Sequence, residues 1–226
     1  MALFRSKYFK NASSRVACLV CGFSGHINQY EKAITSLIDD GYDVIAYEYD
    51  DAVFAAGDAD ILPQLIKGIA EDFEQRAKPY KERLATGVSL GAYIAFNVQR
   101  LLPGLDRGIY GTAGISVSHV IFSARVFRGY RRKFEAAGYD EASLEKRWHD
   151  FEILDDLELE ANKSIFLVLG GLDRIVNFKK ASHMMTTWKK RGIKVSFFRI
   201  RGLGHTTTIW WYKNNLGKLL AKDKSL

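Results

Sequence analysis

Short, almost unbroken apolar runs alternate along the chain with longer stretches in which apolar residues recur every three or four positions. The first run, residues 16–21 (Val-Ala-Cys-Leu-Val-Cys), leaves no polar position for solvent and reads as a strand buried on both faces. Beyond it, Tyr30, Ala33, Ile34, Leu37 and Ile38 share one face of a helix over residues 29–40, and Gly41 supplies the stop. A second strand is predicted at 43–49 and a loop at 50–60. Asp60 is placed to cap the next helix, whose stripe is Ile61, Leu65, Ile66, Ile69 and Phe73, with Pro63 tolerated in the first turn and Pro79 ending it. Residues 84–88 form a third strand that hands over to a helix, and 108–114, 164–169 and 194–200 supply further strands and their exits. A helix over 178–191 is closed by Gly192, and a last helix carries Ile209, Tyr212, Leu216 and Leu219 on one side, with Trp210 and Trp211 as its anchors.

Strands separated by helices of this length need crossovers. Right-handed crossovers produce a mostly parallel sheet with helices on both faces, an α/β architecture. In such sheets ligands collect outside the C-terminal strand ends, so the strand exits are where chemistry is sought. The first exit reads Gly22-Phe23-Ser24-Gly25-His26, a glycine-rich loop able to present backbone N–H groups. The third reads Gly87-Val88-Ser89-Leu90-Gly91. A serine hydroxyl is a weak nucleophile and must be lifted out of the backbone toward a base; a sharp strand-to-helix turn does this, and small residues at 87 and 91 leave room for it. Asp173 follows the strand at 164–169 within Gly170-Gly171-Leu172-Asp173, and His205 follows the last strand after Gly204. Each has a structural competitor: Ser89 as a helix cap, Asp173 as a cap or a partner of Arg174, His205 as one of five histidines with His26, His119, His149 and His183. The place of Ser89, Asp173 and His205 at three strand exits favours catalysis.

The order Ser89, Asp173, His205, together with the Gly22-Phe23 loop, resembles the α/β-hydrolase superfamily from about Val16 to Leu216. The resemblance implies Ser89 as nucleophile, His205 as general base and then acid, and Asp173 as the group that orients the imidazole. It implies backbone N–H groups of Phe23 and Leu90 as the oxyanion hole. Relatives commonly carry His-Gly where this chain has Cys21-Gly22, and commonly begin with two further strands. With about fifteen residues ahead of Val16, the expectation is a shortened sheet of about six strands. The whole chain, 1–226, is read as one domain. Its insertion at 116–162 is read as a helical lid: Ser116 or Ser118 caps a helix bearing Val117, Val120, Ile121, Ala124 and Phe127, Gly138 breaks it, and a shorter helix at 141–149 and an acidic stretch at 155–160 follow. Phe122, Phe127 and Trp148 are candidate substrate-lining residues, with His26 as a further candidate contact. The function expected is hydrolysis of a small carboxylic ester or thioester through an acyl-enzyme. An acyltransferase using the same intermediate, and a non-catalytic ligand-binding protein on the same scaffold, are the alternatives.

Composition narrows this picture little. The 226 residues are 47% hydrophobic and 26% charged, which suits an ordinary globular domain and argues against disorder or a fibre. The net charge of +7 is spread among many acids with no nucleic-acid motif, so nucleic acid is not an expected partner. Arg125, Arg128, Arg131, Arg132 and Lys133 read as the solvated face of an amphipathic helix. The glycines at 108, 111 and 114 lack the spacing and the lysine of a phosphate loop. Cys18 and Cys21 lie three apart on a strand and so point to opposite faces, which speaks against a shared metal. No metal or cofactor is expected. The first fifteen residues lack the apolar centre of a secretory signal and no run is long enough for a membrane span, so a cytoplasmic location is expected, with a small acyl compound as partner.

Overall fold

The computed structural model describes residues 3–54, 57–114, 116–153, 162–176 and 178–223. Among them a seven-stranded sheet is formed by β1 (Phe4–Phe9), β2 (Arg15–Val20), β3 (Asp43–Tyr49), β4 (Glu82–Val88), β5 (Arg107–Gly111), β6 (Ser164–Gly170) and β7 (Lys194–Ile200), in the order β1-β3-β2-β4-β5-β6-β7. All neighbours are parallel except β1, which runs antiparallel to β3 in the register Phe4 opposite Tyr49 to Phe9 opposite Val44. The helices are α1 (Glu31–Asp39), α2 (Ile61–Ala77), α3 (Leu90–Leu101), α4 (Val117–Ser123), α5 (Arg128–Ala136), α6 (Glu141–Arg147), α7 (Phe178–Lys190) and α8 (His205–Asp223).

Alternation along the strands divides the core. Val16, Cys18, Val20, Ile45 and Tyr47 face the side covered by α2, α3 and α7, whereas Ala17, Leu19, Cys21, Val44 and Ala46 face α1 and α8. Cys18 and Cys21 are therefore buried free thiols on opposite faces, as their spacing requires. Burial pushes both thiol pKa values up, that of Cys21 to about 12, so neither ionises near neutrality. No described helix is long and apolar enough to cross a membrane.

The sheet departs from the expected six strands through β1. A single antiparallel edge strand needs only one short return, between Phe9 and Arg15. Buried Asp43 fixes that return: its carboxylate accepts the hydroxyls of Tyr8 and Tyr80, both at 2.6 Å, and the N–H groups of Asn11 at 2.7 Å and Ser13 at 3.1 Å. Two smaller expectations also change. Asp60 makes no side-chain cap to α2, because its carboxylate is taken by Arg147. Trp210 is 65% exposed, and only Trp211 packs, its ring 5.7 Å from that of Phe198. Ser116 does cap α4, accepting the His119 N–H at 3.1 Å, and Gly138 follows α5 at φ +89°. The expected acidic stretch at 155–160 lies outside the described residues.

Candidate active site

Between β4 and α3 the chain turns within one residue. Ser89 sits at φ +53°, ψ −127°, a conformation unfavourable for a side-chain-bearing residue, and its N–H is tied to the Gly111 carbonyl at 2.8 Å. The turn is tight enough that a Cβ on Gly87 would lie 2.5 Å from the Gly91 carbonyl oxygen. A Cβ on Gly91 would strike the carbonyls of Val20 and Cys21, so the helix rests directly on β2. This is the physical reason for glycine at both positions.

The exits of β6 and β7 are stitched to one another by their backbones. Gly171 N–H donates to Ile200 at 2.8 Å and Leu172 N–H to Leu203 at 2.9 Å, which fixes Asp173 relative to His205. The Thr208 hydroxyl, donating to the Gly204 carbonyl at 2.7 Å, locks the first turn of α8. The result is a relay: Ser89 Oγ stands 2.9 Å from His205 Nε2, and His205 Nδ1 stands 2.8 Å from Asp173 Oδ2. Asp173 Oδ1 is occupied by the N–H groups of Ile175 and Val176, both at 2.9 Å. The carboxylate thus has one free oxygen for the imidazole, and an Nδ1–H facing it leaves Nε2 bare toward the serine. Exposure is 1% for the Asp173 side chain and 12% for His205, so the relay is shielded from water except at the serine end.

The relay opens into a cleft of about 320 Å³ lined by Ser89 and His205 together with Phe23 and Leu90. Leu90 is the first residue of α3 and has no intrahelical acceptor for its N–H. Among the described residues the Phe23 N–H has no acceptor either. The loop carrying Phe23 is held from two sides: Tyr30 OH accepts the Gly22 N–H at 2.7 Å, and Asp51 accepts the Ser24 N–H at 2.8 Å. Neither Tyr30 nor Asp51 announces this role in sequence, since one reads as a helix-stripe aromatic and the other as a loop acid.

Of the expected substrate contacts, Phe127 lines the cleft. Trp148 does not: it is fully buried, its indole N–H donates to the Ala59 carbonyl at 2.6 Å, and it backs Phe54, which does line the cleft. Phe122 packs against the core outside the lining. His26 is 69% exposed, with Nδ1 3.7 Å from Glu48, and borders a separate groove with Arg5 and Lys7. The helices between β5 and β6 do reach the cleft, through Val117, Val120 and Ile121 of α4 and through Val126 beyond it. Ile175 and Val176, next to Asp173, complete the apolar wall.

No protein-family model matches the chain, and no curated protein matches it significantly. Solved structures do match. The α/β hydrolase MGS-MChE2, from a lagoon-sediment metagenome, aligns over 100% of this chain and 98% of its own at TM-score 0.66 and 15% identity. Esterase 2 of Thermogutta terrifontis, solved phosphonylated by sarin, covers 97% of this chain and 90% of its own at TM-score 0.66 and 14% identity. The Pyrococcus furiosus esterase Pf2001 covers 96% and 86% at TM-score 0.65 and 18% identity. The chain has the α/β-hydrolase fold.

Proposed function

We propose that this protein is a serine hydrolase that cleaves a small carboxylic ester or thioester through an acyl-enzyme. The observation that carries the reading is the continuous Ser89–His205–Asp173 relay, with contacts of 2.9 and 2.8 Å, at the wall of an apolar cleft. Ser89 Oγ attacks the carbonyl carbon while His205 Nε2 takes its proton. Asp173 stabilises the imidazolium so formed. The negative charge that develops on the carbonyl oxygen is met by the N–H groups of Leu90 and Phe23, each such donor being worth about 3 kcal/mol of transition-state stabilisation. His205 then returns its proton to the departing alcohol or thiol. Water, deprotonated by the same imidazole, attacks the acyl-enzyme, and the acid leaves with Ser89 restored.

The helices between β5 and β6 act as a lid in this reading, with Val117, Val120 and Ile121 of α4 and Val126 beyond it supplying part of the cleft wall. Transfer of the acyl group to another acceptor would use the same intermediate. Wild-type protein incubated with a fluorophosphonate probe is expected to be labelled at Ser89, and Ser89→Ala to remain unlabelled. Folded wild type that resists the probe would sink the hydrolase reading and leave ligand binding as the better account.

A further inference from the structure

His205, Thr206, Ile209 and Lys213 all line the cleft, and all lie on α8. Thr206, Ile209 and Lys213 are spaced i, i+3 and i+7, so they form one stripe that runs down the helix from His205. Seven residues of helix rise about 10 Å, and helical side chains lean toward the N-terminus, so Lys213 leans back along the stripe toward the imidazole. Lys213 is half-buried, with part of its side chain open to solvent, and its ammonium stands 4.7 Å from the centre of the Tyr30 ring, another residue of the cleft.

This charge is unmatched in its surroundings. Among the described residues that line the cleft there is no carboxylate, and apart from His205 the one basic side chain is Lys213. No described acid pairs with it; its partner is the face of Tyr30, which accepts no hydrogen bond from the ammonium in the ordinary sense. Glu48, which with Lys213 bears on the buried Cys21 thiol, is already committed: it accepts the Ile27 N–H at 2.8 Å and stands 3.7 Å from His26 Nδ1. Two uncharged donors line the same cleft, the Thr206 hydroxyl and the amide of Gln29, whose Oε1 accepts the His26 N–H at 3.3 Å.

The chemistry of the relay sets which part of a substrate meets this stripe. His205 hands its proton to the departing oxygen or sulfur, so the leaving group lies against the imidazole and is free to run on along α8. The walls agree with that direction. Phe54, Val117 and Ile121 belong to the core on the α3 side of the sheet, whereas Tyr30 and Ile209 belong to the core on the α1 and α8 side, so the cleft straddles the sheet edge. One end is apolar and the other carries the ammonium.

We propose that Lys213 determines specificity by receiving a carboxylate carried on the leaving alcohol or thiol, while an uncharged acyl group occupies the apolar end of the cleft. This rests on the acyl-enzyme reading. An ion pair at a half-buried site with no competing acid is stronger than one on open surface, and salt screens it.

The test uses butyrate esters of 3- and 4-hydroxybenzoate and of 4-hydroxyphenylacetate, each paired with the ester of the corresponding carboxamide. p-Nitrophenyl hydrogen adipate, its adipamate and fluorophosphonate labelling of Ser89 run alongside. Each kcat/KM is taken relative to cleavage by free imidazole, which removes intrinsic differences in reactivity. Wild type is expected to favour at least one carboxylate over its amide by about tenfold at low salt, an advantage that shrinks as ionic strength rises. Lys213→Met is expected to bring that ratio toward one, Lys213→Glu to push it below one, and Lys213→Arg to keep most of it. The adipate pair should respond to none of these substitutions. A wild-type ratio of one or less overturns the proposal, as does a ratio that neither salt nor the variants move. So does a Lys213→Met protein in which carboxylate and amide esters lose rate equally, which would make the lysine a brace for Tyr30 and the loop it holds. A lysine-dependent preference for the adipate would put the charge on the acyl side and also overturns it. Should the variants fail to fold, the salt dependence of the wild-type ratio decides alone. Labelling of Ser89 and turnover of the amide esters without a carboxylate preference defeat this inference alone; absence of both defeats the hydrolase reading beneath it.

Discussion

Ser24, Ser89 and Thr112 hold φ values of +55°, +53° and +49°, and all three line the one cleft. Strain of this kind persists only where the surroundings impose it, and here the imposing contacts are named: Asp51 on Ser24, Gly111 on Ser89, Val168 on Thr112. Tyr30 is the comparable restraint on the residue before Phe23. In Tyr30→Phe the buried Gly22 N–H loses its acceptor, an expected cost of about 1–3 kcal/mol in denaturant unfolding. The Phe23 N–H should be held less firmly as well, lowering kcat on a short ester by about tenfold while KM changes less. Unchanged kcat would mean that the loop is positioned without Tyr30. Ser89, Asp173 and His205 were legible because a turn that needs glycines, and polar residues just past buried strands, leave a mark in sequence. Tyr30 was not, since a tyrosine on a helical stripe reads as core whether or not its hydroxyl holds a site loop.

The parallel strands at the centre announce themselves by being apolar on both faces: β2 is buried from Val16 to Val20 and β6 from Ile165 to Gly170, with no charge inside either run. The edge strand β1 does not, because only its partly buried positions meet the protein, and Arg5 and Lys7 break the run with the charges that edges use to avoid pairing with other chains. Its docking depends less on apolar burial than on Asp43, a residue that a strand-start reading treats as punctuation. Burial opposes ionisation of Asp43, but the hydrogen bonds from Tyr8, Tyr80, Asn11 and Ser13 outweigh it and hold the carboxyl below its ordinary value. Asp43→Asn keeps one acceptor oxygen and turns an NH₂ group toward donors. We expect a loss of about 2–4 kcal/mol in unfolding free energy. Amide exchange at residues 4–9 should accelerate, while α8 keeps its protection. Retained protection of β1 would show that its pairing with β3 suffices. Trp148 and Phe122 illustrate the complementary limit: periodicity tells that the insertion is helical but not which aromatic ring faces the cleft, because α4 packs on α5 and α6 as well as on the core.

Across the whole molecule, the buried carboxylates set opposite pH demands. Glu152, after α6, is fully buried and accepts the N–H groups of Val117 at 2.9 Å and Ser118 at 3.0 Å, so it fastens the start of α4 to the far end of the same insertion. Burial pushes its pKa up from 4.5 to about 7; the bonds from Ser118 and Val117 offset part of this, and Glu145 of α6 adds to the rise. The folded protein therefore holds this proton more tightly than the unfolded chain. The stabilisation is full below 4.5 and is lost as pH rises through about 7, a difference of about 3 kcal/mol at 1.36 kcal/mol per pKa unit. Asp43 acts in the other sense, its contribution present above 3.8 and lost as pH falls through its lowered value. Unfolding by urea from pH 5 to pH 8 should show wild type losing about 2.5 kcal/mol relative to Glu152→Gln, which cannot titrate. Taking the difference between the two proteins removes the contribution of every group they share. Parallel stability curves would mean that Glu152 ionises at its ordinary value. Because α4 carries Val117, Val120 and Ile121 into the cleft, the same window should appear in catalysis as a rise in KM toward pH 8 in wild type. Glu152→Gln should show no such rise, since an uncharged clamp holds the wall of the cleft equally at both ends of the range.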